Sequence, residues 1–167
     1  MKFSPLPSCR NLRSAAFTTV FGTLLVAAMS EALTAAQLQE LLARSPFIRF
    51  LGLTVVEADP ARQLVTMTLP MRPEFERIAG SGQWHGGPIA AIIDTVGDYA
   101  LVMSLGRPLP TINFRVDYLR PAVNTALTAT ARVRRAGRSV GVVDVDVSDA
   151  KGNPVAIGRA SYSTQSG

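Results

Sequence analysis

The 167-residue sequence has one cysteine and one histidine, and only 17% of its residues are charged. A single cysteine, Cys9, excludes an intramolecular disulfide framework, and one residue of each type argues against a Cys/His zinc site. The Gly-x-Ser-x-Gly elbow of serine hydrolases is absent. A dinucleotide-binding fingerprint starting at Gly80 would need its third glycine at His85. The sequence therefore predicts neither a metal site nor a bound cofactor.

The basic balance of the chain is concentrated at its N-terminal end. The formal charge is +5, and Lys2, Arg10 and Arg13 precede Met29 with no acid among them. Removing these three from 17 cations leaves 14 against 12 acids, which is +2. No basic stripe is interleaved with aromatic residues, so we expect no nucleic-acid partner. We also expect no membrane partner, because the apolar run in the leader is too short for a span.

Residues 1–28 form a leader with two possible interpretations. Three cations precede an apolar run over residues 15–28 that ends in Val26-Ala27-Ala28, as in a secretory signal with a small-residue cleavage site. Alternatively, Met29 is the true start and the leader belongs to an over-extended reading frame. The residues alone favour neither. Beyond the leader we expect an N-terminal helix and connection over 29–48 and the main domain over 49–167.

Hydrophobic periodicity predicts mostly strands and two helices. Thr34 is placed to cap a helix over about 35–43 that ends at Pro46. The long helix runs from Gly86 to Ser104. Period-two alternation predicts strands over 50–56, 65–69, 112–118, 125–135, 143–147 and 155–162. The connections between the later strands are too short for parallel crossovers. The predicted fold class is α+β: an antiparallel sheet of five or six strands with one long helix against its apolar face.

His85-Gly86-Gly87 stands where the long helix begins. The first turn of a helix has unpaired N–H groups and a partial positive charge, and glycine lets a ligand approach the backbone closely. This arrangement suits an oxyanion hole for acyl transfer. A flexible loop carrying a surface histidine explains the same residues equally well.

Asp94 and Asp98 lie inside the same apolar helix. An unpaired buried carboxylate is costly, so Asp94 needs either a partner or a catalytic role, and Asp98 competes for that role. Gly86 and Asp94 are eight residues apart, which is a rise of ~12 Å along a helix. One thioester carbonyl cannot contact both within one chain. A catalytic role for both therefore predicts a two-fold dimer whose sites combine residues of two subunits.

Three features together resemble the hotdog-fold acyl-CoA thioesterases, and most closely their phenylacetyl-CoA (PaaI-like) branch. They are His-Gly-Gly at 85–87, an acid nine residues past His85, and Asn-Phe-Arg-Val-Asp-Tyr-Leu-Arg-Pro-Ala at 113–122. The resemblance covers about 40–164. It implies an antiparallel sheet wrapped around the central helix, in a homodimer joined edge to edge that is often doubled into a dimer of dimers.

The resemblance also implies roles for individual residues. The Gly86 N–H would polarise the thioester carbonyl, and Asp94 of the opposite subunit would act as nucleophile or as general base for water. His85 would orient the thioester, and Thr111 matches a hydroxyl residue that contacts the acid or its water. The chain departs from many relatives at Ala79, where they have asparagine. Gln83 or Asp98 would have to replace that amide.

The remaining predictions concern the substrate. Gly87 is expected beside the thioester, and Trp84, Ile89 and the loop of residues 70–83 are expected to shape the acyl pocket. Coenzyme A, as part of the substrate, would place its phosphates at Arg134, Arg135 and Arg138, although a solvated turn explains these arginines at least as well.

The sequence thus predicts an acyl-CoA thioester hydrolase. The alternatives are a non-catalytic acyl-CoA-binding hotdog module and a hotdog dehydratase or hydratase, whose chemistry needs a histidine paired with an acid. Acyl-CoA is an intracellular metabolite, which favours a cytoplasmic location. Export remains the alternative if residues 1–28 are a signal.

Overall fold

A computed structural model describes residues 31–165 of the chain, which form three α-helices and one six-stranded sheet. The predictions for the leader, for Met29 as the start and for Cys9 lie outside these residues. The helices are α1 (Ala35–Leu42), α2 (Pro46–Leu51) and α3 (Gly86–Leu105). The strands are β1 (Thr54–Asp59), β2 (Leu64–Leu69), β3 (Thr111–Tyr118), β4 (Leu127–Ala136), β5 (Val140–Asp149) and β6 (Pro154–Ser163).

All strand pairs are antiparallel, in the order β1-β2-β4-β5-β6-β3. The chain leaves β2 at one side of the sheet, passes through α3 and returns as β3 at the opposite edge. The predicted α+β fold is confirmed: one long helix is wrapped by a six-stranded antiparallel sheet, which is the hotdog arrangement. The division of the chain at residues 28 and 48 stays a prediction.

Helix α3 forms the centre of the hydrophobic core. It is apolar around most of its circumference, as expected of a helix that is buried on nearly all sides. By length and composition it could cross a membrane, yet most of it is enclosed by the sheet. Ile93 and Val96 are completely buried, and they share one core with Met67, Ala129 and other inner-face residues of the strands.

A small residue on the sheet lets α3 approach closely. A Cβ at Gly158 of β6 would lie 2.4 Å from Ile93 Cγ2, closer than such atoms can approach. Glycine at this position therefore brings the helix against the strands that carry the site. A larger residue would force the helix away from the sheet.

The structure corrects the predicted start of the first strand. Phe50 is not in a strand but in α2, and β1 begins only at Thr54. Ser45 caps α2 by accepting the Ile48 N–H at 3.4 Å, and Pro46 occupies the first turn. Pro46 therefore starts a second helix, a position where proline loses no backbone hydrogen bond. The capping box predicted at Thr34 is confirmed, since Thr34 and Gln37 bond each other's backbone.

Candidate active site

The first turn of α3 leaves one backbone donor free. His85 is the N-cap, and its Nδ1 accepts the Gly87 N–H at 2.9 Å. Because Nδ1 is an acceptor here, a neutral ring carries its proton on Nε2. The Gly86 N–H has no acceptor among residues 31–165, as is general for the first donors of a helix. The geometry therefore offers an N–H donor next to an imidazole.

Tyr118, at the end of β3, fixes the position of this helix start. Its hydroxyl donates to the Gly86 carbonyl at 2.8 Å. A Cβ at Gly86 would meet Tyr118 Cζ and Oη, both at 3.1 Å. Glycine therefore lets the phenol ring pack directly on the backbone, and the free Gly86 N–H is held at the end of the edge strand.

A cleft of about 530 Å³ opens at this point. The residues lining it include six that the sequence predicted: Gln83, Trp84, His85, Gly86, Gly87 and Ile89. Two arginines that were not predicted as substrate contacts line it as well: Arg77, from the predicted loop of residues 70–83, and Arg120. The structure thus places the predicted oxyanion donor in a cleft with an apolar wall and two cationic side chains.

The wall and the glycine loop are fixed by side chains on either side of them. Trp84 is buried, stacks on Phe75 with ring centroids 5.5 Å apart, and donates its indole N–H to the Thr125 carbonyl at 2.9 Å. The carboxylate of Glu76 accepts the N–H groups of Gly80 and Gly82. Glu76 therefore holds the loop that contains Ala79. Sequence reasoning missed it because a carboxylate that binds backbone N–H groups has no fixed spacing.

Two turns further along α3, Asp94 meets the first residue of β3. The Thr111 hydroxyl donates to Asp94 Oδ1 at 2.8 Å, and the carboxylate is partly exposed. The structure thereby brings together the two residues that the resemblance linked, although 17 positions separate them. The hydroxyl satisfies one carboxylate oxygen and orients the other.

The backbone at Asp94 is anchored from β6. The Tyr162 hydroxyl donates to the Asp94 carbonyl at 2.8 Å, and a Cβ at Gly97 would lie 2.3 Å from that hydroxyl oxygen. Burial raises the pKa of Tyr162, with smaller contributions from the charges of Asp94 and Asp98, so the phenol stays protonated and remains a donor. Gly97 therefore leaves the space through which Tyr162 holds this turn of the helix.

Asp98 lies one turn beyond Asp94 but does not line the cleft. Its Oδ1 accepts the Leu109 N–H at 3.2 Å, in the loop that leads into β3. Burial raises the pKa of Asp98 to about 7; the Leu109 N–H opposes this shift, and the charge of Asp94 adds to it. A carboxyl that titrates near neutral pH in a candidate active site is a candidate for a functional role.

The cleft and the Asp94–Thr111 pair are separate within one chain. Neither Asp94 nor Thr111 lines the cleft. The eight residues of helix between Gly86 and Asp94 correspond to ~12 Å. Gly86 and Asp94 of one chain therefore cannot act on the same carbon.

The arginines predicted to bind phosphate lie elsewhere. Arg134 Nε lies 2.7 Å from Asp144 Oδ2, and Arg159 donates to both oxygens of the same carboxylate. These two guanidinium groups, Arg159 above all, hold the pKa of Asp144 below its usual value. Arg135 and Arg138 line a second cavity of about 420 Å³ at the β4–β5 hairpin. Between residues 31 and 165 no cluster of three His, Cys, Asp or Glu side chains could hold a metal ion.

Comparisons with known proteins agree with this architecture. Residues 81–156 match the Thioesterase superfamily. The chain is 32% identical over 161 residues to the medium/long-chain acyl-CoA thioesterase YigI of Salmonella typhimurium, with 80% of this chain and 98% of that protein covered. It is also 32% identical over 110 residues to the acyl-coenzyme A thioesterase PaaI of Escherichia coli, with 65% and 75% covered.

A solved structure shows the same fold. The Escherichia coli PaaI protein from the phenylacetic acid degradation operon superposes with a TM-score of 0.70 at 25% identity, covering 83% of this chain and 98% of that one. The identity to YigI extends over nearly the whole length of that relative, and the matched family region contains the helix start, Asp94 and Thr111. The chain therefore belongs to the thioesterase superfamily.

Proposed function

We propose that this protein hydrolyses acyl-CoA thioesters to a free acid and coenzyme A. The observation that carries the proposal is the Thr111–Asp94 hydrogen bond of 2.8 Å, in a chain that also has a free helix-start N–H at Gly86. The hydrogen bond orients the Asp94 carboxylate, and the Gly86 N–H is an oxyanion donor. These are the two components that acyl transfer to water needs. PaaI and YigI, two relatives of this chain, are named acyl-CoA thioesterases.

The chemistry is set by these two groups. The Gly86 N–H stabilises the negative charge that develops on the thioester oxygen. The Asp94 carboxylate either takes a proton from water while the water oxygen adds to the carbonyl carbon, or adds to that carbon itself. In the second route water then hydrolyses the mixed anhydride. In both routes the C–S bond breaks, and the thiolate leaves and is protonated, so the reaction needs no cofactor.

His85 and Thr111 have supporting roles. The His85 Nδ1 is occupied by the Gly87 N–H, so its Nε2–H is the donor left for the thioester end of the substrate. The Thr111 hydroxyl holds one oxygen of Asp94 and leaves the other for water or for the carbonyl carbon. A dehydratase would need a histidine paired with an acid, whereas His85 bonds a backbone amide.

Strand β3 supplies the geometry of a two-chain site. It lies at the edge of the sheet and pairs only with β6 among the described strands. Ile112, Phe114 and Tyr118 on this strand are 54%, 41% and 54% exposed. A long edge strand with exposed apolar side chains pairs readily with another chain. We infer that it pairs with β3 of a second copy.

Antiparallel self-pairing of β3 assembles the site. Thr111, at one end of the strand, bonds Asp94, and Tyr118, at the other end, bonds Gly86. A two-fold axis through the middle of β3 brings the Thr111 end of one protomer to the Tyr118 end of its partner. Each site then combines Gly86 of one subunit with Asp94 of the other, and a dimer has two sites. A dimer of dimers is compatible with the same pairing.

Arg77 and Arg120 are our preferred contacts for the phosphates of coenzyme A. Both line the cleft beside Gly86, whereas Arg134 is paired with Asp144 on the other face of the sheet. Guanidinium groups bind phosphate with strong charge-assisted hydrogen bonds. A substrate built on coenzyme A also favours the cytoplasm as the location of the proposed activity.

The proposal is tested by offering the protein a panel of acyl-CoAs and trapping the released thiol with a dye. Asp94→Asn should lower kcat/KM by at least ~100-fold, the usual scale for a group that transfers protons. Asp146→Asn, an exposed acid on β5, is the matched control and should leave turnover unchanged.

Two results would contradict the proposal. Near-normal turnover by Asp94→Asn would transfer the catalytic role to another acid, with Asp98 the first choice. Acyl-CoA binding without thiol release, unchanged by the substitution, would identify a non-catalytic binding protein.

A further inference from the structure

The loop between α3 and β3 runs antiparallel to the end of α3, and one residue of the loop and the first residue of β3 bond the two acids of the helix, Asp98 and Asp94. Leu109 bonds Asp98, and two residues later Thr111 bonds Asp94, one helical turn closer to the start of α3. Two residues of extended chain span about 6.6 Å, and four residues of helix rise about 6 Å. The i,i+4 spacing of the acids therefore matches the i,i+2 spacing of their partners.

Asp98 binds the one backbone donor that this part of the loop has. Leu109 stands between Pro108 and Pro110, neither of which has an N–H. The Leu109 N–H is therefore the only donor in the segment 108–110, and Asp98 accepts it. The segment also accepts a hydrogen bond from β6, because the Ser163 N–H donates to the Pro110 carbonyl at 2.8 Å.

We propose that Asp98 is a positioning residue whose bond to Leu109 sets the register in which Thr111 reaches Asp94. This inference rests on the proposed function, because Asp94 is the group being positioned. A shift of one residue in an extended chain moves each side chain to the opposite face. Without the contact at Leu109, the Thr111 hydroxyl would no longer be held toward the carboxylate.

The charge of Asp98 makes this contact dependent on pH. A carboxylate accepts an amide N–H more strongly than a neutral carboxyl does. The ionisable groups around Asp98 are Asp94 on its own helix, Tyr99 next to it and Tyr162 on β6, and Arg44 faces Tyr99. Arg107, in the same loop, donates to the Thr164 carbonyl. With a pKa of about 7, Asp98 is charged above neutral pH, and its bond to the Leu109 N–H weakens as the pH falls below 7 and the carboxyl becomes neutral.

The test compares two substitutions of Asp98. Asp98→Ala removes the acceptor and should lower kcat about tenfold with little change in KM, the scale of one hydrogen bond to a charged group. Asp98→Asn keeps an oxygen that accepts the Leu109 N–H but cannot titrate. It should lower kcat less than Asp98→Ala does, by a loss relative to the wild type at pH 8 that disappears at low pH, and it should lack the inflection near pH 7 that the kcat profile of the wild type should show.

A double-mutant cycle identifies the route of the effect. If Asp98 acts through Thr111, Asp98→Ala should cost little in a Thr111→Val background, because the positioned hydroxyl is already missing. Full additivity of the two losses would overturn the inference. So would a wild-type inflection that persists in Asp98→Asn.

An NMR titration decides the point without measuring activity. The amide resonances of both Leu109 and Thr111 should shift with a midpoint near pH 7 in the wild type and not in Asp98→Asn. A Thr111 resonance that does not follow the Leu109 titration would overturn the inference. A wild type that releases no thiol would refute the proposed function instead, and the titration would still show whether Asp98 positions Thr111.

Discussion

The two edge strands of the sheet are both anchored by a side chain from a helix, but the anchors differ in charge, and the register shift that each strand has lies within β1 but at the start of β3. At β1, Gln39 of α1 donates to the Leu53 carbonyl at 3.1 Å and accepts the Val55 N–H at 2.8 Å. The register of β1 with β2 shifts at Val56, as at a β-bulge. A neutral amide and an irregularity thus mark an edge that is closed to further pairing.

At β3 the anchor is the carboxylate of Asp98, and after a register shift between Thr111 and Asn113 the strand pairs regularly with β6 as far as Tyr118. No described segment covers its free edge. Both ends of this strand carry residues of the candidate site. This difference agrees with the proposed dimer, in which β3 is the edge where two half-sites would meet and β1 takes no part.

The largest expected effect comes from two variants that each inactivate one half of the proposed site, Gly86→Pro and Asp94→Asn. Gly86→Pro removes the proposed oxyanion donor at the first helical position, where the backbone accommodates proline, although the new Cβ requires the Tyr118 ring to shift by a few tenths of an ångström. Alone, it should lower kcat/KM by at least ~100-fold, as removal of an oxyanion donor commonly does. A 1:1 mixture of Gly86→Pro and Asp94→Asn chains, exchanged through unfolding and refolding, should recover about one quarter of wild-type turnover, since half of the dimers then have one intact site.

The control for this mixture is each variant refolded by itself, which should stay inactive. A mixture that stays as inactive as its components would show that Gly86 and Asp94 of one chain act together. The open edge at β3 would then have no role in assembling the site, and the two edges would not differ in function.

A second prediction exchanges one apolar side chain for lysine at each edge. Phe114→Lys, near the middle of β3, should place like charges close to the two-fold axis and convert the dimer to monomers. Activity should fall by about the same ~100-fold as in Asp94→Asn, because each monomer has only half of each site. Sedimentation velocity and thiol release measure the two effects on the same sample.

The matched change is Val56→Lys on β1, where the side chain is 59% exposed. It should leave both the assembly and the turnover unchanged. A fully active Phe114→Lys monomer would contradict the two-chain site, and dissociation by Val56→Lys would assign the interface to the other edge.

Much of the fold was predictable because periodicity decides it. The alternation of apolar residues located five strands to within a few residues, and the apolar helix from Gly86 was found almost to its last residue. The strand start at Phe50 was wrong because an apolar run of that length fits a strand or a helix. The Ser45-Pro46 capping signal, which decides between them, was interpreted as the end of the preceding helix.

The candidate site was predictable in part. The helix start at Gly86 and the acids in an apolar helix followed from the residues, and the role of Thr111 came from a resemblance. Their contacts depend on chain segments that are distant in sequence. Asp98 bonds a backbone N–H, which no residue type reveals. Arg134 was expected at a phosphate, but the register of β4 with β5 shifts at this residue, which pairs with Asp144. No sequence pattern indicates such a shift.

Asp98, the anchor of the open edge at β3, should lower the free energy of unfolding at high pH, where it is charged. The pKa of Asp98 is about 7 in the folded chain against 3.8 as its ordinary value, so between these values the folded state holds a proton that the unfolded state releases. Stability from this group is therefore greatest at low pH and is lost as the pH rises through about 7. Asp98→Asn removes the dependence. Its advantage in free energy of unfolding over the wild type should grow by about 3 kcal/mol between pH 5 and pH 8.

Urea denaturation at the two pH values measures this difference. Asp146→Asn should show the same stability relative to the wild type at both. An Asp98→Asn advantage that shrinks toward pH 8 would mean that the folded state stabilises the charged carboxylate. Ionisation of Asp98 would then not lower the free energy of unfolding.

The smallest expected effect belongs to the neutral anchor. Gln39→Ala removes two hydrogen bonds to the backbone on either side of the β1 start, at Leu53 and Val55. Each such bond is worth roughly 1 kcal/mol, so the free energy of unfolding should fall by about 2 kcal/mol, and by the same amount at pH 5 and pH 8. The dimer and kcat should be unchanged, because β1 carries no residue of the site. Denaturation measures the stability, sedimentation measures the assembly, and thiol release measures kcat. Gln39→Glu is the sharper variant. It keeps the acceptor for the Val55 N–H, loses the donor to the Leu53 carbonyl and adds a charge. If Gln39→Glu made the stability of the β1 edge depend on pH as Asp98 does at β3, the charge of the anchor alone would account for the difference between the two edges.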